Sequence, residues 1–542
     1  MLNINYNSYK SLIIFFIFLF IFVFGLISVK DFGVSSDELD QRHSGFIELN
    51  YIGEKLTPNI LEYYKGKREY IDLNDENYLE KFSGHFLNTV SAFLEVIFNI
   101  EDIRNVFIFK HYIYFTIFFL SLISFYKICQ IRFENWYISL IGVLIIFLSP
   151  RILANSFYDP KDIPFLSILI FSLHFGLVFF NKLNFKNMIY FAIFNALVIS
   201  GVRIYGVISP LLVISSILIY NFLNKESFKK ELIFVLYSIL FTLFFSIIIK
   251  PTLWENTLSN FISSFKYLSE FGEVWIIPNL FFGEIISAKD VPWYYSIVWI
   301  SITTPIFYLI LFIIGILIYL KNFFQYFIKN FSNKKFYFDT IFFSIIIIPL
   351  IGSIILRESS FNSWRHLYFI YPYFVIFCLI AINLIIDFLK KNSLSLYFNY
   401  LIIIILVINL SWIIKNHPFQ YSYFNILAGK NLNQKFDIDY WGLSFKQNLE
   451  YILDNDDRKK ITIVSNSINK PIHFKNSLSK INRKRFIFDQ KNPNPDYIIT
   501  NFFLDDIKKY RTFDDNFIDK EYYVFSEILV DGESINTVFK KK

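Results

Sequence analysis

Long apolar runs recur along this chain, and short polar stretches separate them. Most of the runs are about 20 residues long, which is enough for a helix to cross a bilayer. We predict about eleven spans, near residues 11–30, 105–127, 136–150, 163–180, 187–204, 206–222, 232–250, 293–320, 337–356, 366–388 and 398–414. This pattern predicts a polytopic α-helical membrane protein, with the first run retained as a signal anchor.

The charges between the runs fall into two groups. The short connections on one side carry most of the lysines of the membrane part, among them Lys182, Lys229 and Lys335. By the positive-inside rule this side is cytoplasmic, together with the N-terminus. The long polar segments alternate with these connections and are therefore expected on the outer side. They comprise residues 31–104, 151–162, 251–292, 357–365 and 415–542.

The chain from residue 415 onwards contains no further apolar run of spanning length. Residues 446–454 have helical periodicity, and three short β-branched or aromatic runs, at 461–464, 485–488 and 497–500, are typical of strands. We therefore predict two domains: a membrane domain over residues 1–414, and a small soluble α/β domain over residues 415–542 on the outer side.

The composition agrees with a membrane protein, because 55% of the 542 residues are hydrophobic and only 18% are charged. The net charge of +7 follows the lysine-rich connections, so we expect no nucleic-acid partner. Two cysteines give no disulfide framework or zinc site. The sequence also lacks a phosphate-binding loop, a dinucleotide fingerprint and a metalloprotease motif, so a soluble nucleotide as an energy source on the cytoplasmic face is unsupported.

Acidic residues follow the first span directly. Asp37 and Glu38 lie in the outer segment a few residues beyond the apolar run. Carboxylates beside hydrocarbon are costly, and at a membrane boundary they are suited to accept a proton from an attacking group. The alternative interpretation is that they only mark the water interface at the end of a span.

A second acidic stretch occupies the short outer connection near residue 160. Tyr158, Asp159, Pro160, Lys161 and Asp162 follow one another there. The Asp-Pro pair predicts a non-helical turn. Such a turn presents its charges at the outer face, either to a ligand or simply to solvent.

Three basic residues stand at outer ends of spans, where the positive-inside rule disfavours them. Arg365 and His366 begin a late span, and Arg203 lies between two apolar runs with almost no loop. Arginine binds phosphate well through paired donors. Arg203 is expected to contact an anionic ligand or to pair with one of the carboxylates. For Arg365 the alternative is interfacial anchoring between Trp364 and Tyr368.

These motifs, in this order and on this side, resemble the GT-C class of polytopic glycosyltransferases. The likeness is to the protein O-mannosyltransferase and aminoarabinose-transferase-like group, described as glycosyltransferase family 39-like. It is carried by Asp37-Glu38, by the 158–162 stretch and by the Trp364–Pro372 stretch, and it covers roughly residues 1–415. The resemblance implies transfer of a sugar from a polyprenyl-phosphate donor to a glycolipid, polysaccharide or protein acceptor on the outer face of a bilayer.

The resemblance also implies roles for single residues. Asp37 takes the place of the catalytic base, with Glu38 as its acidic neighbour and Asp159 in the same catalytic group. Basic residues hold the donor phosphate, and the candidates of suitable charge and side are Lys161, Arg203, Arg365 and His366. Asp162, Tyr158 and Arg42 are expected to contact the acceptor or to support these groups.

No metal is predicted, with a divalent cation between Asp37 and Asp159 as the alternative. The expected location is a bacterial inner membrane, with the tail in the periplasm. Two other classes remain open from the residues alone. A flippase or transporter of lipid-linked saccharides would also have many spans, although its charges would lie at mid-membrane. A polysaccharide polymerase or ligase would instead use a diphosphate-linked donor.

Overall fold

The structure is a computed structural model, and it describes residues 6–57, 72–73, 75, 77–224, 228–274, 278–329, 332–355, 362–390, 394–504 and 512–542. Within these ranges, sixteen α-helices precede the tail. They are α1 Tyr6–Ser28, α2 Ser36–Leu56, α3 Phe86–Ile97, α4 Ile103–Phe133, α5 Trp136–Phe147, α6 Pro150–Tyr158, α7 Asp162–Asn181, α8 Phe185–Ala196, α9 Ile208–Asn224, α10 Phe228–Ile249, α11 Thr257–Val274, α12 Tyr295–Thr303, α13 Ile306–Lys329, α14 Lys334–Ile355, α15 Tyr371–Lys390 and α16 Ser395–Lys415.

Ten helical segments within the described residues are long and apolar enough to cross a membrane, or eleven if the bent pair α5–α6 counts as one span. The most buried of them are α7 and the segment that contains α15, which lie inside the bundle. The prediction of a multi-pass helical membrane protein is confirmed.

Prolines lie where one predicted span ends and where another is interrupted. The expected span at 136–150 ends early, because Ser149 precedes Pro150 and adopts an extended backbone with φ −87° and ψ 109°. The chain resumes as α6 at an angle of 67° to α5. The expected span at 293–320 is likewise divided, since Thr304, which precedes Pro305, has φ −105° and ψ 138°. Helix α13 alone carries the crossing segment there.

Contacts between distant loops sort the ends of the helices into two sides. On one side Arg132 binds Asp339 and Lys335 binds Glu134. On the other side, ion pairs join the start of α2, the start of α7, Arg203 and the start of the α15 segment. This grouping agrees with the two sides inferred from the lysine pattern. Which side faces the cytoplasm stays a prediction.

A short hairpin stands in the connection after α11. Strands β1 Pro278–Phe281 and β2 Glu284–Ser287 pair antiparallel, and Phe282 and Gly283 at the turn both have positive φ. Phe281 forms a bridge with Phe436, and the amide of Gly283 donates to the carbonyl of Lys435 at 3.2 Å. The hairpin therefore attaches the membrane part to the tail.

The tail forms a five-stranded sheet in the order β4-β3-β5-β7-β6. Its elements are α17 Phe445–Asn455, β3 Ile461–Ser465, α18 Pro471–Phe474, α19 Lys480–Arg483, β4 Phe486–Phe488, β5 Tyr497–Thr500, α20 Asp515–Glu521, β6 Tyr522–Val530 and β7 Glu533–Lys541. Strands β4, β3 and β5 are parallel, and β7 pairs antiparallel with β5 and β6. The predicted C-terminal α/β domain is confirmed, although the β6–β7 hairpin was not predicted.

Polar contacts and one close backbone approach fix the tail against the membrane part. Lys446 of α17 donates to the carbonyls of Lys30 and Asp31, and Arg483 binds Asp102 at 2.7 Å. A side chain at Gly33 would place its Cβ 2.7 Å from the carbonyl oxygen of Leu443, so only glycine allows this approach. The tail thus lies directly on the chain segment that leads into α2.

Candidate active site

The first turn of α2 holds Asp37 at the end of the first span. Ser35 caps the helix, and its amide donates to the Glu38 carboxylate at 2.7 Å, which forms a capping box. The Ser35 hydroxyl donates to the carbonyl of Tyr158 at 3.2 Å. This bond places Asp37 beside the turn that follows α6.

Glu38 lies one residue after Asp37 but faces into the bundle. It is fully buried, and His111 of α4 approaches its carboxylate at 2.9 Å. Neighbouring residues of a helix point about 100° apart, so the acidic pair is divided between two faces of α2. The catalytic role of Glu38 stays a prediction, and its contacts are those of a group that fixes the helix carrying Asp37.

We expect Glu38→Gln to lower the stability of the protein more than its kcat. The glutamine retains an acceptor for the Ser35 amide but removes the charge beside His111, at a cost of about 1–3 kcal/mol. Thermal melting of the purified variant, together with kcat corrected for the folded fraction, measures both effects. A kcat lowered a hundredfold in a variant of unchanged stability would instead assign Glu38 to the chemistry.

The turn after α6 directs its carboxylates inward. Asp159 accepts the amides of Lys161 at 2.9 Å and of Asp162 at 2.7 Å through Oδ1. Both aspartates are buried. The predicted Asp-Pro turn is present, but its carboxylates face the protein interior and not solvent.

Two arginines meet these carboxylates. Arg365 Nη1 lies 3.0 Å from Asp37 Oδ2 and 3.6 Å from Asp162 Oδ2. Arg203 binds the other oxygen of Asp162. Asp159 lies close enough to interact electrostatically with Asp162 and Arg365. We call Asp37, Asp159, Asp162, Arg203 and Arg365 the carboxylate–arginine cluster.

Lys161 borders this cluster and faces Glu80. Its Nζ lies 3.7 Å from Glu80 Oε2, while Tyr267 of α11 donates to Glu80 Oε1 at 2.7 Å. Burial lowers the pKa of Lys161, and the charge of Glu80 opposes that effect. Sequence reasoning missed Glu80, whose only signal was its place in the expected outer segment 31–104.

The remaining predicted site residues have different surroundings. His366 lies near the charges of Arg365, Arg203 and Lys161. Tyr158 is buried, and its ring meets those of Phe32, Tyr421 and Trp441. Arg42 binds Glu95 of α3 and covers the Phe46 ring. The structure therefore brings His366 and Tyr158 to the cluster, whereas the contacts of Arg42 lie between α2 and α3.

The tail contributes two aromatic residues that the sequence did not suggest. The guanidinium carbon of Arg365 lies 4.5 Å from the centroid of the Trp441 ring and 5.8 Å from that of Tyr440. Both aromatic side chains are buried. Arg365 thus lies buried among charges and rings, and not in the interfacial position that was the alternative for it.

The donor set of the cluster does not fit a divalent cation. Asp37 and Asp162 already face arginines, and Oδ1 of Asp159 accepts two amides. Within the described ranges, no three His, Cys, Asp or Glu side chains come together in a way that would hold a metal ion. Two arginines among the carboxylates instead favour binding of an anion.

The protonation of Asp159 makes stability depend on pH. Burial, and then the charge of Asp162, raise the pKa of Asp159 above its ordinary 3.8. The unfolded chain releases this proton near 3.8 while the folded one keeps it. The bound proton of Asp159 therefore contributes fully to the free energy of unfolding below pH 3.8. This contribution is lost as the pH rises through the raised pKa of the folded state.

We expect Asp159→Asn to flatten this part of the pH profile. The asparagine Oδ1 retains the bonds from the two amides but does not titrate, which removes a slope of at most about 1.4 kcal/mol per pH unit. Melting temperatures of wild type and variant between pH 5 and 9 test this, with Asp454→Asn in the tail as a control. If the melting temperatures of wild type and Asp159→Asn changed with pH in the same way, the raised pKa of Asp159 would be contradicted.

Three solved structures are similar to this chain. The archaeal oligosaccharyltransferase AglB from Archaeoglobus fulgidus, in complex with an inhibitory peptide and a dolichol-phosphate, has 12% identity and a TM-score of 0.49, over 97% of this chain and 74% of that chain. A complex of the Archaeoglobus fulgidus oligosaccharyltransferase with Zn and sulfate has 12% identity and a TM-score of 0.46, over 89% and 68%. ArnT from Cupriavidus metallidurans, bound to undecaprenyl phosphate, has 10% identity and a TM-score of 0.44, over 97% of both chains.

No family model and no curated protein sequence matches the chain. At these identities and TM-scores, the likeness is a distant one in architecture.

Proposed function

We propose that this protein is a membrane glycosyltransferase that moves a sugar from a polyprenyl-phosphate carrier to an acceptor. The supporting observation is the meeting of Asp37 and Arg365, which stand 328 residues apart in the chain. Asp37 follows the first apolar segment and Arg365 begins a late one, at the same side of the bundle. Bringing such charges together at the end of membrane spans is costly unless the site uses them.

Asp37 is the group suited to accept a proton. Its side chain is 38% exposed, whereas Asp159 and Asp162 are almost fully buried. An acceptor hydroxyl can therefore approach Asp37 from outside the bundle. The exposed carboxylate of Asp37 takes the proton of this hydroxyl while the hydroxyl oxygen attacks the anomeric carbon of the sugar.

The basic residues are suited to the leaving group. As the new glycosidic bond forms, the bond between the anomeric carbon and the phosphate oxygen breaks, and negative charge grows on the phosphate. Arg365, Arg203 and Lys161 are positioned to stabilise this charge, with His366 beside them. Direct displacement of this kind inverts the configuration at the anomeric carbon.

Asp162 holds the two arginines together. It binds Arg203 through one oxygen and lies 3.6 Å from Arg365 through the other. A buried carboxylate between two cations lowers their mutual repulsion. We therefore propose that Asp162 supports the phosphate-binding arginines and does not itself receive a proton.

The proposed orientation follows the lysine pattern. The lysine-rich side is cytoplasmic, so the cluster and the tail lie on the outer face, which is the periplasmic face of an inner membrane. The lipid tail of the donor then lies among the spans, and the acceptor is a glycolipid, polysaccharide or protein of the cell envelope.

The test is release of the carrier lipid. The purified full-length protein in lipid nanodiscs is incubated with a synthetic polyprenyl-phosphate sugar and a total envelope extract of the source cell. We expect polyprenyl monophosphate and a newly glycosylated component, neither of which forms with Asp37→Asn. Movement of intact donor across the bilayer without release would show a transporter, and use of only a diphosphate-linked donor would show a polymerase or ligase.

A further inference from the structure

One tight turn of the tail reaches the carboxylate–arginine cluster. This turn, residues 439–444, carries Tyr440 and Trp441 and precedes α17. The Asp439 carboxylate closes it by accepting the amides of Leu443 at 3.0 Å and of Ser444 at 3.3 Å. Gly442 adopts φ +69°, and a Cβ there would lie 2.3 Å from the Phe474 ring. The turn therefore has one defined shape.

The tail sheet holds the turn from behind. Asn501, just after β5, donates to the carbonyl of Asp439 at 2.7 Å, and Asn469, after β3, donates to that of Tyr440 at 3.0 Å. Both asparagines follow the carboxyl ends of parallel strands. On the opposite side, Leu443 touches Gly33 of the segment that leads to Asp37. The position of Trp441 is thus fixed by both parts of the chain.

Trp441 covers Arg365 without adding charge. At 4.5 Å, the distance from the guanidinium carbon to the ring centroid lies within the range of cation–π attraction. A third carboxylate at this place would neutralise the arginine further, whereas an aromatic face holds it and leaves its cationic character available to an anion. Arginine also stacks well on aromatic rings because its guanidinium is planar.

A sugar-binding platform would need an open ring face. Trp441 is only 4% exposed, its ring packs near Arg365, and the Tyr158 ring approaches at 6.4 Å. No open face of this kind is left for a sugar. The surroundings of Trp441 are those of a side chain that acts on its neighbour.

We propose that Trp441 is a positioning residue that orients Arg365 toward the donor phosphate, so that the C-terminal domain completes the transferase site. This inference rests on the proposed function, in which Arg365 binds that phosphate. It assigns to the tail a part in donor binding that neither its sequence nor its fold suggests.

The experiment compares Trp441→Leu with Trp441→Phe in full-length protein in nanodiscs. Leucine keeps an apolar side chain but removes the ring, and phenylalanine restores a smaller ring. Phe486→Leu, another buried tail aromatic, is the matched control for general weakening of the tail. The KM for a polyprenyl-phosphate sugar, kcat, and labelling of Arg365 by phenylglyoxal followed by peptide mass spectrometry are measured for each variant.

We expect Trp441→Leu to raise the donor KM about five- to thirtyfold with an unchanged acceptor KM, the size of a partly desolvated cation–π contact. Arg365, buried in the wild type, should label faster in this variant. In Trp441→Phe, the donor KM and the labelling rate of Arg365 should return most of the way to their wild-type values. Phe486→Leu should change neither quantity.

The two readouts separate this inference from the proposed function. Unchanged labelling in Trp441→Leu, equal labelling in Phe486→Leu, or no rescue by phenylalanine would overturn the positioning role. Faster labelling, rescued by phenylalanine, with an unchanged donor KM would retain that role but contradict phosphate binding by Arg365. If the wild type transfers no sugar, the proposed function fails, and labelling alone decides the inference.

Discussion

Replacing Asp37 by asparagine should lower sugar transfer by about 10²- to 10⁴-fold, the usual contribution of a positioned general base. Asparagine has nearly the same shape but cannot accept a proton. The Asp37 side chain is 38% exposed, and buried Arg365 keeps Asp162 at 3.6 Å as a partner when the charge at position 37 is lost. We therefore expect normal expression and a melting temperature within a few degrees of the wild type.

The matched control is Asp40→Asn, the same change one helical turn further along α2. Asp40 lies in the electrostatic neighbourhood of Asp37 and Glu80, and the structure gives it no contact with Arg365. We expect this variant to lose less than tenfold in kcat. Equal losses in both variants would mean that the negative potential of the region matters and not a proton acceptor at position 37. Full transfer by Asp37→Asn would remove Asp37 from the mechanism.

The second large effect is expected at Arg365. Arg365→Gln should lower kcat/KM for the donor by about 10²- to 10³-fold, as is typical when one donor to a developing oxyanion is removed. It should also leave Asp37 and Asp162 facing each other with one cation fewer, so some stability is lost. Arg365→Lys restores the charge but not the planar fork, and we expect it to recover only part of the rate.

Donor and acceptor titrations at fixed enzyme concentration distinguish the role of Arg365. The loss should appear in the dependence on polyprenyl-phosphate sugar and not in the acceptor KM. Arg483→Gln is the control, because Arg483 also joins the tail to the membrane part, through Asp102, and makes no contact with the cluster. A similar loss in Arg483→Gln would show that docking of the tail, and not a cation at the phosphate, determines the rate.

The membrane architecture could be predicted from the sequence because the energetics of the bilayer act on every residue of a span. The lengths of the apolar runs predict the spanning helices, and the distribution of lysines predicts which helix ends lie on the same side of the membrane. The same reasoning found Asp37 and Arg365, since a charge at the outer end of a span stands out against its neighbours. It did not find the break at Pro305, because a long apolar run continues through that position, and it did not find helix α6, which follows the predicted end of the span at Pro150.

The sequence could not show which neighbours share a pocket. Asp37 and Glu38 are adjacent, yet one lies at the cluster and the other against His111, because successive side chains leave a helix about 100° apart. Glu80 and Trp441 approach the cluster through folding over long chain distances, and neither residue type is unusual in its local context. The β6–β7 hairpin was missed although Asp531-Gly532 is a common two-residue turn.

The placement of Trp441 over Arg365 has a consequence for biogenesis. Ribosomes deliver the chain from its amino end at about 5–20 residues per second, so Asp37 reaches the bilayer long before the turn that carries Trp441 is made. We therefore expect membrane insertion of the spans alone to yield an inactive protein. With the proposed role of Trp441, sugar transfer begins only after residues 439–444 have folded onto the helix bundle.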